Sequence, residues 1–272
     1  MILCKSIENY MDDLDKNNYK IKSNYFGYLN NLYNLNKKNF YKKVNQIEFN
    51  NKILFDLKYY NNIFLFIVKK YKNKINVYLN NSNGIEILEL LINWRKYNLF
   101  KEILFMHKDK YHINLQNFGG DTILHLLIYK KRYNLFKEVL MMYKDKFNIN
   151  IVNYFRNTIL HYLIEHRQYD LFEEVLLIFK DKFNVDLQNF SGNTVLHLLI
   201  KKKQYDLFND ILSMYKDRYN INLRDDWWKT VLHLLIEDRQ YNLFKEIFEM
   251  FKNKMNDKLY RYCVEKIEEL GL

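Results

Sequence analysis

The chain has 272 residues, 49% hydrophobic and 17% aromatic, with a formal charge of +11. That much apolar material excludes a chain that is disordered throughout, and its densest apolar run, around Ile63 to Val68, is far too short to cross a membrane. Neither Pro nor Ala occurs, while Asn, Lys, Ile and Tyr abound. The codons of the missing residues are GC-rich, so an AT-rich genome accounts for the bias and composition says little about function.

The charge is uneven along the chain. Residues 1–85 carry fourteen Lys against six acidic residues, and the remainder is close to neutral. A basic N-terminal third would attract an acidic partner, a nucleic acid or an anionic membrane, with Lys69, Lys70, Lys72 and Lys74 prominent. The plainer reading is that Lys is this chain's default polar residue. The first residues, Met1-Ile2-Leu3-Cys4-Lys5, lack the apolar core of a signal peptide. Cys4 and Cys263 stand at opposite ends, too far apart in an extended array to pair. A reducing, cytoplasmic compartment is expected. Residues 1–49 read as a divergent basic cap, with a degenerate unit from about Leu14.

From there the chain repeats. A weak unit starts near Asn50 and a better one at Glu86; intact copies follow at Thr122, Thr158, Thr194 and Thr230. Each intact copy opens Thr-x-Leu-His, giving His125, His161, His197 and His233. Tyr-x-Leu-Phe keeps the same 36-residue period, from Tyr97-Asn98-Leu99-Phe100 to Tyr241-Asn242-Leu243-Phe244. A fixed period of this size marks a repeat array in which each unit buries its apolar face on its neighbours. Within a unit, Ile123 to Ile128 read as a first helix of about nine residues. Leu135, Phe136, Val139, Leu140 and Tyr143 then place one apolar stripe on a second helix. Lys144-Asp145-Lys146 ends that helix, and Asn148 to Asn157 make a turn-rich connection. Residues 256–272, with Leu259, Tyr262, Cys263, Ile267 and Leu270 on one side, read as a capping helix.

Thr-x-Leu-His after a Gly-containing turn resembles the ankyrin repeat, with Gly120 and Gly192 two residues before the Thr. The resemblance covers roughly residues 86–255 well and 50–85 poorly. It implies an all-α solenoid of about six helix pairs with divergent caps. It also implies that each Thr and His bond one another to pin loop to helix, and that loop tips and first helices form a protein-binding face. Three departures stand out: a period of 36 instead of about 33, Ile or Val in place of the Pro after Thr, and a Leu-Ile pair in place of two Ala. In addition, the Gly between the helices is always a cation: Arg95, Lys131, Arg167, Lys203 or Arg239. Such a residue must either accept a positive φ or adopt another turn.

No enzymatic motif is visible: no phosphate loop, no nucleophile elbow and no paired cysteines. The four His, one per unit, are too far apart to share a metal with bonds of about 2 Å, and the chain calls for no cofactor or small-molecule substrate. Glu102, Glu138, Glu174, Asp210 and Glu246 keep the period, as a solvated helix face would. The periodic cations either track a polyanion or complement helix C-terminal dipoles. Most distinctive are the loop tips, which hold Phe118, Tyr154, Phe155, Arg156, Phe190, Trp227 and Trp228. These side chains either anchor a partner or pack on one another as a seam. Arg156 and Trp228 stand where the other tips have Gly, and a Trp in that place suggests use.

Overall fold

The computed structural model describes residues 65, 68–70, 72–74 and 83–272, and among these it contains helices and no strands. Most of the basic N-terminal third, including the residues near Leu14 and Asn50, lies outside the described residues. The chain divides into two compact units, residues 1–111 and 112–272.

In the first unit α1 (Asn83–Asn93) and α2 (Tyr97–Met106) form a helix pair around Leu88, Leu91, Phe100 and Ile103, all buried. A 3₁₀ turn, Lys72–Lys74, lies against α2. Lys72 pairs with Glu102, and its carbonyl lies 3.1 Å from Nε2 of the buried His107.

The second unit is an all-α helical-repeat solenoid. Its inner helices are α3 (Ile123–Tyr129), α5 (Ile159–Glu165), α7 (Val195–Lys201) and α9 (Val231–Glu237). Its outer helices are α4 (Tyr133–Tyr143), α6 (Tyr169–Phe179), α8 (Tyr205–Tyr215) and α10 (Tyr241–Phe251). Each outer helix packs on its own inner helix, and each inner helix packs on the next inner one. The inner helices have seven residues, two fewer than their apolar pattern suggests. Helices α5 and α7 are nearly all-apolar because both flanks meet a neighbouring repeat: Leu163, Ile164, Leu199 and Ile200 have no exposed surface. The outer helices bury one stripe, such as Phe172, Val175, Leu176 and Phe179, and show the opposite side to water.

A Schellman motif explains why the inner helices stop early. In the third repeat Gln204 N–H reaches back to the Leu199 carbonyl at 2.9 Å and Lys203 N–H to Ile200 at 2.7 Å; the other pairs do the same. The motif needs a left-handed residue at the place of the periodic cation. Arg95, Lys131, Arg167, Lys203 and Arg239 all adopt φ between 56° and 59°. Of the two outcomes open in the sequence, the chain takes the strained one, at roughly 1–2 kcal/mol per residue. The cations sit at helix C-terminal ends, where the dipole returns part of that cost.

Two further ladders tie the repeats together. Phe147 meets Phe179 edge-on, Phe183 meets Tyr215 and Tyr219 meets Phe251, at centroid distances of 6.1–6.4 Å. Beside them runs a row of amides. Asn114, Asn150 and Asn222 each accept a backbone N–H from the next repeat and donate to a carbonyl there, at 2.8–2.9 Å. Asp186 occupies the third place in the row, between Asn150 and Asn222. It accepts the Asn220 N–H at 2.9 Å but has no NH₂ to offer in return, and burial holds its carboxyl above the usual range. Asp186→Asn restores the donor and is expected to stabilise the chain by ~1 kcal/mol, read as a higher urea midpoint at pH 7. A lower midpoint would show that the nearby Arg218, which favours the carboxylate, outweighs the missing bond.

Helix α11 (Asp257–Leu270) follows a second 3₁₀ turn, Lys252–Lys254, and takes the place of a further repeat. The Asn256 side chain caps it, Leu259 and Cys263 are buried, and Gly271 closes it in the left-handed conformation. Of the capping face expected from the sequence, Tyr262 and Ile267 are half-buried and Leu270 is exposed. Burial raises the Cys263 thiol to about 12, so it stays protonated at neutral pH. No helix among the described residues is long and apolar enough to cross a membrane.

Candidate partner-binding face

The Thr and His of each intact repeat form a closed capping unit. Thr122, Thr158, Thr194 and Thr230 are N-caps with extended φ/ψ. Each Thr N–H donates to the Nδ1 of the His three residues on at 3.2–3.3 Å, and Thr Oγ1 lies 2.8 Å from the same nitrogen. Nδ1 must therefore be bare and the ring neutral, with its proton on Nε2. From Nε2, His125 donates to the carbonyl of Asn157 at 3.2 Å and His161 to that of Asn193 at 3.1 Å, each one repeat ahead. The corresponding carbonyl, Lys229, stands beside His197 outside bonding geometry, so that Nε2 has no partner. His233 has no following repeat, and Tyr262 of α11 stacks on its ring at 4.0 Å. Burial is the main reason that all four imidazoles are held down to about 4. Among the described residues, no group of three or more His, Cys, Asp or Glu is placed to hold a metal ion.

These caps carry the tips. Each tip opens on Asn117, Asn153, Asn189 or Asp225, whose Oδ1 accepts two N–H groups from its own loop at 2.9–3.1 Å. Successive tips then bond through their backbones: Tyr154 N–H to Gly119 carbonyl at 2.9 Å, Phe190 to Phe155 at 2.8 Å, Asp226 to Ser191 at 3.1 Å. The tips are thus one connected rail, each loop fixed by the next.

On this rail the six rings expected from the sequence all face outward. Phe118, Tyr154, Phe155, Phe190, Trp227 and Trp228 are 66–80% exposed. Among the described residues no ring contact joins two of them, so they form no seam with one another. Arg156 is exposed as well and lies along the next tip, its Nε 3.2 Å from the Gln188 carbonyl. Arg156 and Trp228 adopt φ of 57° and 62°, against 73° for Gly120 and 70° for Gly192. A Cβ on Gly192 would meet backbone atoms of the following tip at 2.8–2.9 Å. Trp228 belongs to the last tip and has no successor to meet. That absence accounts for the Trp at a Gly position without any appeal to use.

Beside the rail run the C-terminal ends of the inner helices, the first helices that the resemblance puts in the face, on which the sequence reading named no site residue. Tyr129 is exposed at the end of α3. At the same place in α7, Lys201 donates to Asn193 Oδ1 at 2.6 Å and to Asp225 Oδ2 at 2.7 Å. Burial works against the charge on Asp225, but Lys201 and the two backbone N–H groups outweigh it and hold the carboxyl below its usual range. Between the last tip and helices α7 and α9 opens a cleft of about 310 Å³, with Ile200 and Leu234 among its apolar lining, Trp227 beside them, and Asp238 and the Lys229–Glu237 ion pair in its wall. The only hint in the sequence is that residues 165, 201 and 237 keep the 36-residue period while changing charge: Glu, Lys, Glu.

No family model matches the chain, and no curated protein matches it.

Proposed function

We propose that the chain is a divergent ankyrin-type repeat protein that acts as a non-enzymatic scaffold, binding a protein partner along its loop tips and inner helices inside the cell. The observation that carries this reading is the rail of exposed aromatic side chains on loops fixed to one another by backbone hydrogen bonds. Large rings held outward on rigid supports give an interface its anchors at low entropic cost. The Thr-His caps and left-handed inter-helix turns, repeated with one period, support the family assignment. The anchors are Phe118, Tyr154, Phe155, Arg156, Phe190, Trp227 and Trp228.

The test is a double variant. Trp227→Ala with Trp228→Ala touches residues that are 79% and 73% exposed, so circular dichroism and the thermal midpoint are expected to stay put. Binding to a partner recovered by the unaltered chain is expected to fall by roughly a hundredfold, the effect of losing two hot-spot rings at ~1.4 kcal/mol each. Unchanged binding would remove the tips from the interface.

A further inference from the structure

The cleft at the end of the rail has a chemistry distinct from the rest of the face, and it narrows the class of partner. We infer that it holds an arginine side chain from a basic segment of the partner; this rests on the scaffold reading above and deepens it. Of the ionised groups around the cleft, the two cations are already engaged: Lys201 by Asp225 and Asn193, Lys229 by Glu237. Three carboxylates face those two ammonium groups. The one left over is Asp238, whose carboxylate accepts a hydrogen bond from the Tyr205 hydroxyl at 3.1 Å and, among the described residues, forms no ion pair. So in a chain that is basic as a whole, this cleft offers one carboxylate without a counter-charge.

Around that carboxylate the lining suits a guanidinium and its stem. Leu234 gives the methylene chain a small apolar contact above the buried Ile200, and the Trp227 ring, 79% exposed, is free to stack on the cation. A planar guanidinium meets both demands at once, since it stacks on an aromatic face and bonds a carboxylate with two parallel N–H groups. An acidic segment would bring further negative charge to Asp238 and find both ammonium groups occupied. A wholly apolar side chain would leave Asp238 covered and unpaired, which is costly.

Asp238→Asn isolates the inference. Asn keeps an oxygen for the Tyr205 hydroxyl and removes only the charge, so the fold is retained. Capped octapeptides carrying arginine, lysine, glutamate or only neutral residues are titrated into the full chain at low and physiological salt and followed by calorimetry. The arginine peptide is expected to bind at least tenfold more tightly than the glutamate and neutral ones. Its affinity is expected to fall about tenfold in both Asp238→Asn and Trp227→Ala, and to stay unchanged in Glu173→Gln, on the exposed side of outer helix α6. Equal affinity for the glutamate or the lysine peptide, or an Asp238→Asn variant that binds the arginine peptide as well as the unaltered chain, would overturn it. Should Trp227→Ala with Trp228→Ala abolish binding of the native partner while Asp238→Asn leaves it intact, the scaffold reading stands and the arginine site falls.

Discussion

The array is expected to come apart as the pH falls from about 6.5 to about 4, a loss that begins well above the range in which ordinary carboxylates are protonated. In the folded chain the imidazoles of His125, His161 and His197 are buried, neutral and held down to about 4. In the unfolded chain each titrates near 6.5. Between those values the unfolded state binds the extra protons, so stability rises with pH through that window and is lost on acidification. Above about 6.5 the contribution is whole; below about 4 both states are protonated and nothing further is lost.

The full linkage is on the order of 3 kcal/mol for each buried imidazole, and three of them together rival the stability of a whole domain. Geometry points the same way, because a proton on Nδ1 would face the Thr N–H that now donates to it. Asp225, held below its usual range, adds to the acid loss, whereas Asp121, Glu165 and Asp186, raised by burial, oppose it. Urea midpoints at pH 7, 5.5 and 4.5 are expected to drop steeply. His161→Gln is expected to be less stable at pH 7 and to show a shallower drop. A midpoint that holds steady down to pH 4.5 would refute the neutral-imidazole account.

The second large effect is expected at Gly192. Gly192→Val places a β-branched residue at a φ of 70° and drives its Cβ to within 2.8 Å of the Asp225 Cα. Left-handed strain of roughly 1–2 kcal/mol adds to overpacking of similar size, so a loss of about 3 kcal/mol is expected. The Asp226–Ser191 backbone bond should open with it, seen as faster amide exchange at Asp226. Arg156 shows how a side chain can occupy this place: its φ is lower, and it runs along the next tip to the Gln188 carbonyl, a route closed to Val. The control is Trp228→Gly at the last tip, where no backbone follows. Relief of strain and the added freedom of Gly nearly cancel there, so a change under about 1 kcal/mol is expected. Equal losses at both positions would mean that tip-to-tip approach does not set the glycine requirement.

Much of this architecture was legible in the residues. The resemblance implied that Thr194 and His197 bond one another; they stand three apart at a helix start, so each reaches the other within one turn. Phe172, Val175, Leu176 and Phe179 announce a helix with one buried face by spacing alone. The tips were legible as loops because Asn153 and Asn189 cap turns within their own five residues. For the inter-helix cations the sequence left two outcomes open, and only the Schellman bonds settled that Lys203 and its counterparts take a positive φ. Helix length was misjudged for the same reason: Lys202 and Lys203 belong to the turn.

What the sequence determined by itself is whatever is closed within a turn or two of chain: the helices, their Thr-His caps, the period and the place of the aromatic loops. What only the tertiary structure decided is whatever reaches one repeat ahead. His125 bonds Asn157, Asn150 bonds Lys182, Tyr154 bonds Gly119, and Trp227 shares a cleft with Ile200 and Leu234. No local pattern encodes those pairings. They exist because each repeat leaves polar groups and an apolar face unsatisfied until its neighbour is in place, and burial then selects the single stacking that satisfies both.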